Sequence, residues 1–360
     1  PYRIKRSQED ISEATDEGQF DYPRALRGGL NAPFMSIYIP ASVDEEGGAK
    51  MLADELIDLM EAVARGSPQK FALAYSTEQV RQNFADGQIS LPLGMENGAP
   101  IEGKLENVQY FYDRGIRYIT LTHSKSNHIS DSSYDDNRQW NGLSKFGKQL
   151  IGEMNRLGIM VDVSHISDEA FYQVMELSKV PVIASHSSAR HFTPGFERNM
   201  DDEMIKRLAS RGGVIQILFG SGYISATTRT MSAESREAIT RHFEEQGLSA
   251  DSEEGRAFLE KYREENPYPY AALADLLDHF DHVRDLVGVE YVGIGSDFEG
   301  VGNTMPTDIK DVSQYPNLIE GLLTRGYSEA DIEKILAGNL MRVWRQVEDF
   351  ARQQKDVPPH

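Results

Sequence analysis

The sequence predicts an α/β fold of the (β/α)8 TIM-type barrel class. Three observations point there. Short, nearly continuous apolar runs alternate with amphipathic helical stretches, as expected of parallel strands covered on both faces. No glycine-rich phosphate loop follows any of these runs, which weakens the doubly wound alternative. Five of the runs end on a residue able to ligate a metal or move a proton: Glu96, His123, His165, His186 and Asp297. In a barrel, such groups project from strand C-termini into one mouth.

In chain order, the strand-like runs are 32–40 (APFMSIYIP), 89–96 (ISLPLGME), 117–123 (RYITLTH), 159–165 (IMVDVSH), 180–186 (VPVIASH), 212–219 (GGVIQILF) and 290–297 (EYVGIGSD). That is one strand fewer than a closed barrel needs. Helical patterns lie between them. Phe146, Leu150, Ile151, Met154 and Leu157 share one face of a helix that Gly158 terminates. Met204, Ile205 and Leu208 do the same for a helix starting near Asn199. Leu273, Leu276, Leu277, Phe280, Val283 and Val287 follow at helical spacing. A last helix opens at Ser328, with Asp331 placed for a capping box, and is expected to bury Ile332, Ile335, Leu336, Leu340, Val343 and Trp344. The stretch 228–270 is charged and only weakly periodic; it reads as a helical excursion from a single catalytic domain spanning 1–360.

Composition narrows the chemistry. With 57 acidic and 37 basic residues among 360, the net charge of −20 argues against nucleic acid or an anionic membrane surface as partner. There is no cysteine, so any metal is held by His, Asp or Glu. No apolar run approaches the roughly 18–20 residues of a membrane span. The chain opens on Pro1 rather than Met, which leaves room for a removed export leader, with an exported, periplasmic or membrane-associated setting; a cytoplasmic one stays open.

His165 and His186, at matching strand ends, read as a metal pair, because neutral imidazole is the usual nitrogen ligand of zinc; the alternative is two hydrogen-bonded core histidines. Glu96 can ligate one metal or bridge two, or cap a turn. His123 can act as a ligand or as a donor to a substrate oxygen. Asp297 suits proton transfer to a leaving amine, or serves as an N-cap. Arg198 offers a planar fork for a carboxylate, or pairs on the surface with Glu197 or Asp201. The H-x-D of His279 and Asp281 falls on a helix, where residues two apart diverge, so both are expected to be surface or flanking residues.

The motifs LRGGLNAPFMSIY, LPLGMENG, YITLTHS, VDVSHIS, PVIASHSSAR, RNMDD and VGIGSDFEGV, with the C-terminal stretch through LAGNLMRVWRQVE, resemble the renal (membrane) dipeptidase family of metal-dependent amidohydrolase barrels. The resemblance implies two Zn2+ ions and hydrolysis of dipeptides by a metal-bridging hydroxide. It implies that Glu96 bridges the metals, His165 and His186 complete the second site, His123 contacts the substrate, Arg198 binds its C-terminal carboxylate and Asp297 shuttles the proton. It leaves a homodimer open. Two departures stand out. The family's H-x-D ligand pair would fall just ahead of Pro1, on the eighth strand, so the chain carries half of a dinuclear site; trimming accounts for this better than loss of a central strand, which would expose two sheet edges. Leu218 stands where many members have Asn, which makes the barrel interior less polar there. The alternatives are a related barrel hydrolase acting on another amide, ester or lactone, and a non-catalytic peptide binder lacking one metal site.

Overall fold

A computed structural model describes residues 1–355. The sheet at its centre is wholly parallel. Its strands are β1 (Met35–Tyr38), β4 (Leu93–Glu96), β5 (Ile116–Thr120), β6 (Met160–Asp162), β7 (Ile183–Ala184), β8 (Val214–Ile217) and β9 (Val292–Ile294). They lie side by side in chain order as a 7-stranded sheet. All seven runs expected to be strands supply one, and helices cover the outside as in a TIM-type barrel. Among the described residues β1 and β9 are the sheet edges; the eighth strand expected ahead of Pro1 falls outside them.

The run 89–96 divides in two. Pro92 cannot donate to a ladder, and the chain turns there from β3 (Ile89–Leu91) into β4. β3 pairs instead with β2 (Phe71–Leu73), a strand not foreseen, in a separate two-stranded sheet. The register between β4 and β5 shifts at Leu93/Gly94. Gly94 is required there: a Cβ would sit 2.0 Å from the Tyr118 ring.

Helix 145–157 has Ser144 as its N-cap and left-handed Gly158 (φ 92°) at its end, and it buries Leu150, Ile151, Met154 and Leu157. The next expected helix begins later than the sequence suggests. It runs Asp202–Ser210, because Asp201 is its N-cap and accepts the Met204 N–H. The Ser328–Asp331 capping box forms. Leu336, however, is 41% exposed rather than buried. A π turn over Lys334–Gly338 inserts one residue into the helical phase, which carries Leu336 outward and Asn339 inward. There Asn339 donates to the carbonyls of Val289 (2.7 Å) and Val292 (2.9 Å).

His279 is not a surface residue. It is fully buried; its Nδ1 accepts the Ala189 N–H at 3.0 Å and its Nε2 donates to the Ile224 carbonyl at 3.1 Å. Hydrophobic periodicity placed it one position from Phe280, and the segments after β7 (Ala189) and after β8 (Ile224) supply the partners that let an imidazole lie in the core. Asp281 remains peripheral and is ion-paired with Arg325 and Arg284. The charged excursion forms two helices, Ala226–Gln246 and Glu253–Glu265, with the His242 and Phe258 rings stacked at 3.8 Å. No helix among the described residues is long and apolar enough to cross a membrane.

Candidate active site

The strand ends converge as barrel geometry requires. Glu96 is the last residue of β4, His186 follows β7 by two residues, and His123, His165 and Asp297 follow their strands by three. Glu96 Oε1 lies 3.5 Å from His123 Nε2, 3.5 Å from His165 Nε2 and 3.3 Å from His186 Nε2. His165 Nε2 and His186 Nε2 are 2.8 Å apart. The other carboxylate oxygen, Oε2, accepts from Ser36 Oγ at 2.7 Å. Ligand atoms around a tetrahedral zinc with bonds near 2.0–2.1 Å stand roughly 3.3 Å apart. The Glu96 spacing matches this, and the His–His spacing is somewhat tighter.

The backbone is held in unusual conformations here. Asn97 (φ 80°), His165 (φ 72°), Asp297 (φ 58°) and Glu299 (φ 72°) are left-handed without being glycine, a strain of order 1–3 kcal/mol each that persists only where surroundings enforce it. For His165 the restraint is the Ser133 N–H, which binds its carbonyl at 2.7 Å. For Asp297 it is close packing: a Cβ on Gly300 would lie 2.0 Å from its Oδ1.

A chain of hydrogen bonds behind His186 determines its tautomer. Asp162 Oδ2 accepts from Ser185 Oγ at 2.6 Å and from Thr120 Oγ1. Asp162 Oδ1 accepts the N–H groups of Ser164 (3.0 Å) and Ser185 (2.8 Å). Ser185 Oγ also meets His186 Nδ1 at 2.7 Å. The serine's one proton goes to the carboxylate, which can only accept. Nδ1 must therefore carry the proton, and the lone pair of the neutral ring lies on Nε2, facing Glu96.

Arg198 is 2% exposed and forms neither of the ion pairs its neighbours suggested. Glu197 binds Arg138, and Asp201 caps its helix. The guanidinium donates instead to Ser187 Oγ (2.8 Å), the His186 carbonyl (2.7 Å) and His165 Nε2 (3.0 Å). Among the described residues its Nε is buried without an acceptor, and Nδ1 of His123 and of His165 without a partner. A buried cation with a spare donor and no carboxylate partner is costly unless an anion joins it. Tyr223 lies over the guanidinium at 5.9 Å, its hydroxyl 3.0 Å from that of Tyr134, and Phe196 packs against both rings.

The electrostatics are asymmetric. Burial lowers His165 well below its ordinary pKa, helped by the charge of Arg198. Burial lowers His123 to about 4 despite the opposing Glu96. His186 goes the other way: burial is outweighed by the hydrogen bond and charge of Glu96. Glu96 itself is held well below the carboxylate range, because contacts from His165 and His186 overcome its desolvation. Desolvation pushes Asp297 up to about 7, with Glu96 adding and His186 opposing. The donor set, two or three imidazole nitrogens and one ionised carboxylate around one point, fits a divalent metal ion.

All six residues singled out in the sequence, Glu96, His123, His165, His186, Arg198 and Asp297, thus lie around one mouth. Ser36, Asp162, Ser185, Tyr134, Phe196 and Tyr223 were not anticipated. Asp162 had a legible signal, a carboxylate inside the apolar run MVDVSH; the aromatic rings come from loops (Tyr134, Phe196) and a four-residue helix (Tyr223) and had none.

The sequence model of the membrane dipeptidase family (peptidase family M19) matches residues 1–357. Dipeptidase aclJ of Aspergillus oryzae is 32% identical over 349 residues, which cover 95% of this chain and 73% of that protein. Dipeptidase 3 of Mus musculus is 31% identical over 346 residues, 95% of this chain; the chain spans only 60% of that relative's length. Among solved structures, the probable dipeptidase PvdM from Pseudomonas aeruginosa superposes with a TM-score of 0.81 at 28% identity, covering 94% of this chain and 91% of its own.

Proposed function

The chain belongs to the membrane dipeptidase family, peptidase family M19, and from that premise we propose that it is a zinc-dependent dipeptidase acting on dipeptides with a free C-terminal carboxylate. The observation that carries this reading is the convergence of three imidazole Nε2 atoms on Glu96 Oε1, within 3.5 Å, beside the buried Arg198.

Glu96, His165 and His186 would hold the metal, with Glu96 as the residue shared between two Zn2+ ions. When bound, zinc supplies Lewis-acid polarisation of the scissile carbonyl and lowers the pKa of the attacking water. The remaining work falls to the chain's own groups. Arg198 Nε–H, lacking an acceptor, takes one oxygen of the substrate carboxylate and so fixes which end of the peptide enters. The Tyr134, Phe196 and Tyr223 rings close the space around it, which favours short peptides. His123 is neutral at pH 7 and donates a hydrogen bond to the carbonyl oxygen as it gains charge. Asp297, raised to about 7, is matched to accept a proton from the attacking water and return it to the leaving amine.

The test is zinc content and turnover of a dipeptide panel by the full-length protein. Two zinc ions per chain that Glu96→Ala/His186→Ala removes, with faster hydrolysis of free dipeptides than of their C-terminal amides, is the expected result. At most one metal at the mouth and no turnover would leave only a peptide binder.

A further inference from the structure

A second group of ligating side chains meets away from the mouth. His191, Asp202 and His282 belong to three separate segments: the 3₁₀ turn Arg190–Phe192, the first residue of helix Asp202–Ser210, and helix Leu273–Val287. One ligand atom from each lies within 4.8 Å of the other two, as for Glu96, His123 and His165 at the mouth. His282 Nε2 is 2.7 Å from Asp202 Oδ1. The His191 ring stacks on that of His282 at 4.5 Å and 24°.

The backbones bearing these groups are already locked together. His279, one turn before His282, accepts the N–H of Ala189, two residues before His191, at 3.0 Å. Arg190 is clamped by both oxygens of Asp168, at 2.7 and 2.6 Å, and by the Asn199 carbonyl at 2.7 Å. Phe192 packs on His279 at 4.5 Å and meets His282 edge-on at 5.6 Å. One side of the cluster is thus apolar and fixed, while His191 is exposed on the other. A site whose scaffold is pre-ordered loses little entropy on gaining its ion.

We propose that His191, Asp202 and His282 form a binding site for a divalent transition-metal ion of the zinc type, with water completing its coordination. Two imidazole nitrogens and one carboxylate suit Zn2+, Ni2+ or Cu2+; Ca2+ and Mg2+ require oxygen ligands. An ion there ties the segment after β7, which also carries Arg198, to helix 273–287. The site does not depend on the dipeptidase reading.

Zn2+ is titrated calorimetrically into the whole chain, into the His191→Ala/His282→Ala pair, into His191→Ala alone, and into a Glu96→Ala/His186→Ala mouth variant. The wild type is expected to bind one equivalent more than either outer variant. The mouth variant is expected to keep that equivalent, and Ca2+ and Mg2+ to produce none. Because His191 is exposed and stacks on the cluster from outside, its alanine variant tests the site even if the double variant fails to fold. Equal zinc stoichiometry in the wild type and the His191→Ala chain overturns the proposal. So does loss of the extra equivalent in the mouth variant.

Discussion

His186 Nδ1 lies 2.7 Å from Ser185 Oγ, the side chain of its own neighbour in sequence. Adjacent residues on a strand normally point to opposite faces. Just beyond the two-residue strand β7 the chain has left the pleat, and the two side chains meet. Asp162, from the neighbouring strand β6, completes the relay.

Breaking this relay should weaken metal binding without unfolding the barrel. Ser185→Ala removes the acceptor for Nδ1–H, and Asp162→Asn lets the serine hydroxyl reverse. Outer partners of metal-bound histidines are commonly worth about 10–100-fold in affinity. Zinc affinity by chelator competition, set against circular dichroism and urea midpoints, is the measurement. Unchanged affinity in Ser185→Ala would show that the His186 ring is oriented by packing alone.

Arg198→Met should lower kcat/KM for dipeptides. Hydrogen bonds to charged groups contribute about 1.5–3 kcal/mol, or roughly 10- to 150-fold. The loss should vanish for C-terminally amidated dipeptides, which lack the carboxylate. Equal losses on both substrate types would place Arg198 in a structural role.

His279 should make the protein acid-sensitive. Burial lowers its folded-state pKa from 6.5 to about 4, and protonation of Nδ1 would set an N–H against the Ala189 N–H. The unfolded chain therefore takes up the proton first. Stability from this group is complete above pH 6.5 and is lost as pH falls toward 4, by about 3 kcal/mol. Urea denaturation across that window, in metal-free buffer, should show the slope, and His279→Gln should reduce it by this group's share, leaving the part due to His123 and His165, which burial lowers too.

Gly94→Ala should cost about 1–3 kcal/mol, the usual range for overpacking. The added Cβ falls 2.0 Å from the Tyr118 ring, and that ring is backed by Phe34 at 5.2 Å. In a Tyr118→Leu background the same substitution should cost much less, and a double-mutant cycle on urea midpoints reads the coupling.

The seven parallel strands were legible because both faces of each are covered, so each appears as an apolar run. The β2–β3 pair was missed, since Phe71–Leu73 is too short for periodicity to register. Leu336 was misplaced because a π turn breaks the 3.6-residue phase without any distinctive residue to announce it. The start of the helix after Arg198 was misjudged because Asn199 and Asp201 are both good caps, and only the hydrogen bond to Met204 chooses between them.

Taken alone, the sequence determined the barrel class, the family likeness and the six polar residues at the mouth, because strand-end position and side-chain chemistry are local properties. Tertiary structure decided what each residue faces. It left Arg198 without a carboxylate partner, put the His186 lone pair on Nε2 and drew His279 into the core. It also brought His191, Asp202 and His282 together from segments up to 91 residues apart (282 − 191 = 91). The physical reason is that a hydrogen bond or ligand set needs angstrom-level convergence of segments distant in the chain, and only the close packing of strands and helices enforces it.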